Sequence, residues 1–174
     1  MLDLKYLVIR NLRLYLRDKV SIFFSFLSSI ILIGIYVLFL GNSILPTDIY
    51  QLITKGEAQF LVYGQMLAGI VVLNTINIPL ANMGNLIFDF EYKQIDSFVV
   101  TPVKRIKIIL GYYLSSIIIT TVLSIIIWLA SVLMIGFVTG NFFSFITILK
   151  VSLLIPVFTL VSTAFVVLLI TFIK

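Results

Sequence analysis

The chain has 174 residues, of which 61% are hydrophobic and only 11% are charged, whereas roughly 25% of an ordinary soluble domain is charged. A soluble fold of this length could not bury so much apolar surface, because surface-to-volume scaling limits burial. Cysteine and histidine are both absent, which excludes disulfides, Cys/His metal sites and His-based acid–base catalysis. The net charge of +5 comes from basic residues that flank hydrophobic runs, so membrane topology explains it better than nucleic-acid binding.

Four uncharged hydrophobic runs are each long enough to cross a bilayer, whose core of about 30 Å needs about 20 helical residues. The predicted spans are residues 20–41, 58–83, 108–138 and 151–173. The first run is long for the core of a signal peptide and no A-x-A-like site follows it, so an uncleaved span is preferred. The pattern predicts an all-α polytopic membrane bundle that forms a single transmembrane domain.

Lysine and arginine alternate in number between the segments outside these spans. Residues 1–19 carry five and residues 84–107 carry four, whereas residues 42–57 and 139–150 carry one each. Since cytoplasmic segments carry the excess of Lys and Arg, we expect the N-terminus, the 84–107 loop and the C-terminus to face the cytoplasm. The predicted location is the cell membrane.

Residues 1–19 are predicted to contain an amphipathic interfacial helix. One side carries the apolar residues and Asn11, and the other carries the arginines; the first set is Leu4, Leu7, Val8, Asn11, Leu12 and Tyr15, and the second is Arg10, Arg13 and Arg17. Such a helix suits the surface of a membrane. The simpler alternative is that the arginines only mark the cytoplasmic end of a helical extension of the first span.

The loop 84–107 holds three of the seven acidic residues, interleaved with aromatic and aliphatic side chains. Aromatic groups mixed with charge are typical of a docking surface for a soluble partner. The alternative is an interfacial helix that packs on lipid and on the neighbouring spans.

The predicted spans contain no Asp, Glu, Lys or Arg, which argues against a carrier coupled to protons or sodium. The chain also lacks the G-x-x-x-x-G-K-[ST] motif, so it cannot itself be an ATPase, and it offers no catalytic constellation. Gln65, Asn74 and Asn77 in the second span are candidates for a translocation path or a dimer seam. Ordinary interhelical hydrogen bonding is the alternative for each of them.

Residues 89–115 (DFEYKQIDSFVVTPVKRIKIILGYYLS) and residues 10–26 (RNLRLYLRDKVSIFFSF) resemble the permease subunits of type-2 ABC exporters. The resemblance implies that the N-terminal helix is an elbow helix and that the 84–107 loop holds a coupling helix for a separate ATPase subunit. The coupling residues would be Asp89, Phe90, Glu91, Tyr92, Ile95, Asp96 and Phe98.

The same resemblance implies a second permease copy, identical or similar, and ATP with Mg²⁺ bound by the ATPase subunit rather than by this chain. The chain departs from the family pattern in two places. Glu91 occupies the position where the family usually has an acid, but Lys93 and Gln94 stand where the family commonly has a glycine shortly after it. In addition, four spans are predicted where six are usual. The second departure implies a truncated or shortened permease.

The leading hypothesis is therefore the membrane subunit of an ATP-driven exporter from a bacterium or archaeon. Its cargo could be amphiphilic, lipid-like, a drug, a peptide or a polysaccharide. The alternative is a non-transporting four-span protein, such as an immunity or regulatory factor, that binds other membrane proteins.

Overall fold

The computed structural model describes residues 2–40, 55–92 and 105–173, and nearly all of them are helical, with no strand among them. We number the helices in chain order, as follows: α1 Leu2–Arg17, α2 Lys19–Ile35, α3 Lys55–Glu91, α4 Arg105–Thr139 and α5 Phe145–Ile173. A π-helical segment, Tyr36–Leu40, continues α2. The predicted all-α membrane bundle is confirmed.

Three helices are long and apolar enough to cross a membrane, over Glu57–Asp89, Ile106–Thr139 and Phe145–Phe172. The pair α1 and α2 meets the same criteria as a fourth span if the two are counted together, but it is bent by 68°. The 17 residues of α2 and the five of the π-helical segment rise about 33 Å together, close to the thickness of a bilayer core.

The long helices extend beyond the hydrophobic runs that predict them. Helix α3 continues through residues 84–91, which were expected to lie in the loop, and residues 93–104 of that loop lie outside the described residues. Hydropathy marks where the hydrocarbon ends, whereas a helix continues until a residue breaks its hydrogen bonding. With 37 and 35 residues, α3 and α4 measure about 55 and 52 Å. Since a bilayer core is about 30 Å thick, they tilt or extend beyond it.

The bend between α1 and α2 is built around Asp18. Its backbone N–H donates to the carbonyls of Leu14 and Tyr15 in the last turn of α1, and its ψ of 78° departs from helical geometry, which ends the helix. Its side chain accepts from the backbone N–H of Ser21 at 3.1 Å and from the Ser21 hydroxyl, which caps the start of α2. The sequence D-K-V-S thus supplies a helix stop and a helix start within one turn.

The buried face of α1 packs against the bundle. Leu7, Asn11 and Tyr15 are buried, as the side predicted to be apolar would be. Leu7 packs in one cluster with residues of three other helices, namely Met83, Leu86, Ile108, Tyr112 and Val166. The apolar face of α1 therefore contacts protein.

Small polar side chains link the helices near the middle of their length. Ser29 of α2 donates to Asn74 of α3 at 2.9 Å, and Ser162 of α5 donates to the carbonyl of Thr75 at 2.6 Å. The hydroxyls of Thr121 and Thr159 lie 2.9 Å apart and join α4 to α5. Interhelical bonds of this kind supplement van der Waals packing, because the hydrophobic effect does not drive apolar helices together within lipid.

Candidate functional site

Three polar side chains from three helices meet where α3 ends and α4 begins. Nη2 of Arg10 lies 3.2 Å from Oδ2 of Asp89, and Nη1 of Arg10 donates to the hydroxyl of Tyr112 at 3.3 Å. The Tyr112 hydroxyl in turn donates to Oδ2 of Asp89. We call these residues the Arg10–Asp89–Tyr112 cluster.

Hydrophobic packing one turn away determines this meeting point. Leu7 of α1 lies over Gly111 of α4, where an added Cβ would be only 3.0 Å from the Cβ of Leu7. The absence of a side chain at Gly111 therefore allows α1 to approach α4 closely. One helical turn after Leu7, that approach places the guanidinium of Arg10 beside Tyr112.

The charges of the cluster are partly removed from solvent. Asp89 is 8% exposed, and the side chain of Arg10 is 31% exposed. A carboxylate that is so buried requires hydrogen-bond donors and an opposite charge, which Arg10 and Tyr112 supply. Arg10 also donates to Oδ1 of its neighbour Asn11 at 3.1 Å, which orients the guanidinium.

The structure divides the residues predicted to form the ATPase contact. Asp89 faces α1 and α4, so its side chain supports the end of α3 from within the bundle. Tyr92 is 69% exposed, and its ring stacks at 6.3 Å on that of Phe88, which is 54% exposed. Phe90 and Glu91 lie in the last turn of α3, and their side chains are outside the described part, as are Ile95, Asp96 and Phe98 entirely.

The three arginines predicted on one face of the N-terminal helix have different environments. Arg13 and Arg17 are exposed, whereas Arg10 is paired with Asp89. Helical periodicity placed Arg10 on the polar side because it contains no information on how closely α4 approaches. Tyr112 was not singled out either; its only sequence signal is the preceding Gly111, which marks a close helix approach.

The structure does not bring together the three amides of the second span. Asn74 is buried and accepts the hydrogen bond from Ser29 inside the protomer. Asn77 and Gln65 are exposed. Gln65 also lines a cavity of about 410 Å³ between α2 and α3.

The long apolar helices define an α-helical integral membrane protein, and a partly buried ion pair joins two of its helices at one end. The family described as ABC-2 type transporter matches residues 3–174, and the chain belongs to this family. It is thus a transmembrane permease component of an ABC transporter, which confirms the resemblance found in the sequence. No curated protein and no solved structure matches the chain.

Proposed function

We propose that the chain is the permease subunit of an ATP-driven exporter in the cell membrane of a bacterium or archaeon. A separate cytoplasmic ATPase binds ATP and Mg²⁺ and supplies the energy. The N-terminus and the segment after α3 face the cytoplasm, as the distribution of Lys and Arg predicts. The observation that carries the proposal is the Arg10–Asp89–Tyr112 cluster at the start of the predicted coupling segment.

The cluster gives the coupling segment a mechanical connection to the bundle. A push on residues 89–99 acts first on the last turn of α3, where Asp89 is joined to α1 by Arg10 and to α4 by Tyr112. Because α3 and α4 are continuous helices of 37 and 35 residues, a tilt at this end moves the opposite end too. Such rigid-body motion is a common way to change access to a membrane path.

The exposed pair of Phe88 and Tyr92 forms the described part of the ATPase contact. Large exposed aromatic side chains next to charged groups commonly dominate the binding energy of an interface. Glu91 and Asp96 add negative charge beside them, which would steer a basic surface of the ATPase. Asp89 acts indirectly, as a positioning residue.

The functional unit contains a second permease copy, identical or similar, with a cargo path between the two. Uncharged spans suit an amphiphilic or lipid-like cargo, and a drug, a peptide or a polysaccharide is compatible with them as well. The chain binds no cofactor of its own in this scheme.

The proposal predicts a gene for a P-loop ATPase beside the gene of this chain, and it is tested by purifying the tagged chain together with that ATPase. The wild-type chain should retain the ATPase, and Tyr92→Ala should retain much less of it. Tyr6→Ala is the matched control, since Tyr6 is 67% exposed on α1 and lies outside the predicted contact. The coupling proposal fails if no ATPase is retained and the double variant Glu91→Lys/Asp96→Lys still transports.

A further inference from the structure

A cavity of about 410 Å³ lies between α2 and α3, far from the Arg10–Asp89–Tyr112 cluster. Its lining is Leu32, Tyr36, Val62, Gln65, Met66, Gly69, Ile70 and Leu73. Gln65 precedes Asp89 by 24 positions on the same helix, so the two lie about 36 Å apart along its axis. The volume falls within the range of about 300–1,000 Å³ that is typical of small-molecule sites.

The lining is apolar except for Gln65 and Tyr36. Gln65 is exposed and lies within the candidate span Glu57–Asp89. An amide that faces hydrocarbon without a partner is unfavourable, since lipid offers no hydrogen bonds. Asn74, which lies nine positions further on, offsets part of this cost by accepting a bond from Ser29 at its Oδ1, whereas its buried Nδ2 has no partner among the described residues. The amide of Gln65 instead borders the cavity, where a ligand's polar group would satisfy it.

Two backbone features keep the cavity open. Apart from its chain neighbours and the adjacent backbone of α3, no heavy atom lies within 4 Å of the position that a Cβ of Gly69 would occupy, so there is open space beside it. On the other wall, Tyr36 begins the π-helical segment Tyr36–Leu40. π-Helical turns are rare and are frequent at functional sites, because they disrupt the regular ladder of a helix.

We propose that this cleft is a cargo-binding site for an amphiphile, with its apolar chain along Ile70 and Leu73 and its hydrogen-bonding group at Gln65. The inference rests on the proposed export function and assigns it a substrate class. Both walls of the cleft belong to one protomer, so the proposed site does not require a second copy of the chain. A small polar cargo would leave the apolar lining unmatched.

The test uses a reporter at the rim of the cleft. The chain has no cysteine, so Leu73→Cys can be labelled with bimane and the protein placed in phosphatidylcholine nanodiscs. The probe is a lysophosphatidylcholine brominated on its acyl chain, which quenches bimane on contact. Leu160→Cys is the matched control, since Leu160 and Leu73 are 46% and 47% exposed. Their depth also matches, because the nearby pair Thr75 and Ser162 is hydrogen-bonded across the two helices.

Quenching in the labelled Leu73→Cys variant should saturate and be reversed by unbrominated lysophosphatidylcholine, whereas quenching in the labelled Leu160→Cys variant should rise without saturation. Gly69→Leu, which fills the empty space, should abolish the saturable part. Gln65→Leu should raise the half-saturating concentration about three- to tenfold, as expected for one lost hydrogen bond. Asn77 is an exposed amide outside the lining, so Asn77→Leu should leave the half-saturating concentration unchanged.

Unsaturable quenching that is equal in the two labelled variants would show that the probe only partitions into the bilayer, and it would overturn the site. Efficient disulfide formation between two unlabelled copies of the Leu73→Cys variant would show that a second copy covers the cleft, and it would also overturn the proposal. Neither result depends on the ATPase. Retention of the ATPase by the chain therefore tests the export function separately from this site.

Discussion

Arg10 and Asp89 lie 79 positions apart in the chain, and their side chains form an ion pair of 3.2 Å that joins α1 to the last turn of α3. Tyr112 closes the arrangement from α4 by donating its hydroxyl hydrogen to the same carboxylate oxygen. An N-terminal helix that hydropathy alone places apart from the spans is thus attached to the two helices that flank the predicted coupling segment. The first three predictions concern this attachment.

Neutralising Asp89 should destabilise the protein and uncouple transport. Asp89→Asn leaves a half-buried guanidinium without its counter-charge, and we expect a loss of about 1–3 kcal/mol, less than for a fully buried pair because Arg10 is partly solvated. Thermal unfolding in detergent measures this loss. Arg13→Met is the control, since Arg13 is exposed. A double-mutant cycle of Asp89→Asn and Arg10→Met should be non-additive; additive losses would contradict the direct pairing.

Removing the hydroxyl of Tyr112 should have an effect of the same kind and of similar size. Tyr112→Phe keeps the ring in its hydrophobic cluster but removes the donor to Asp89, and a hydrogen bond to a charged group contributes about 1.5–3 kcal/mol. The change should lower the midpoint of thermal unfolding and the transport rate. Tyr6→Phe, which alters an exposed tyrosine on α1, should change neither. An unaltered midpoint in Tyr112→Phe would show that the hydroxyl contributes nothing to stability.

A methyl group at Gly111 should push α1 away from α4. The added Cβ would lie 3.0 Å from the Cβ of Leu7, so Leu7 must move by a few tenths of an ångström, and we expect this overpacking to cost about 1–3 kcal/mol. Gly84→Ala is the matched control. Gly84 lies on α3 near the end that adjoins the start of α4, and its added Cβ would meet nothing within 4 Å. The control should be neutral or stabilising by up to about 1 kcal/mol. Equal stability changes in the two variants would contradict the close approach of α1 to α4.

Asp18, which precedes the first predicted span, should make the bend between α1 and α2 sensitive to acid. Hydrogen bonds from Ser21 lower the pKa of the Asp18 carboxyl below its usual value, which is about 3.9 in an unfolded chain. Because the folded pKa is the lower one, this stabilisation is fully present above about pH 4 and is lost as the pH falls through the folded pKa. The midpoint of thermal unfolding should therefore fall less between pH 6 and pH 3 in Asp18→Asn than in the wild type.

Asp18→Ala removes the cap at every pH and should cost about 1 kcal/mol. Ser21→Ala is the complementary variant, since it removes the hydroxyl donor but keeps the backbone donor. In Ser21→Ala, the pKa of the Asp18 carboxyl should therefore lie closer to its usual value than in the wild type. Identical acid profiles for Asp18→Asn and the wild type would mean that other carboxylates govern the acid response.

The sequence predicted some of the site and missed the rest for identifiable reasons. The acidic and aromatic pattern after the second span predicts a docking segment, and the pattern of α1 placed Leu7, Asn11 and Tyr15 on one face, which the structure buries against protein rather than in the membrane surface. Periodicity describes one helix at a time, however. It assigned Arg10 to the polar face, although its partner lies on another helix, and the loop pattern assigned Asp89 to a docking surface, although its side chain faces inward.

By itself, the sequence determined the class of the protein and the approximate position of its spans, and it predicted which segment contacts the ATPase. These follow from local properties, namely hydrophobic length, the count of Lys and Arg, and the type of residue in a loop. Only the tertiary structure decided that α1 packs on α4 through Gly111, that Arg10 pairs with Asp89, and that an open cleft lies beside Gln65. Each of these depends on the distance between helices. That distance is set by the packing of side chains from different helices, so the residue pattern of a single helix does not reveal it.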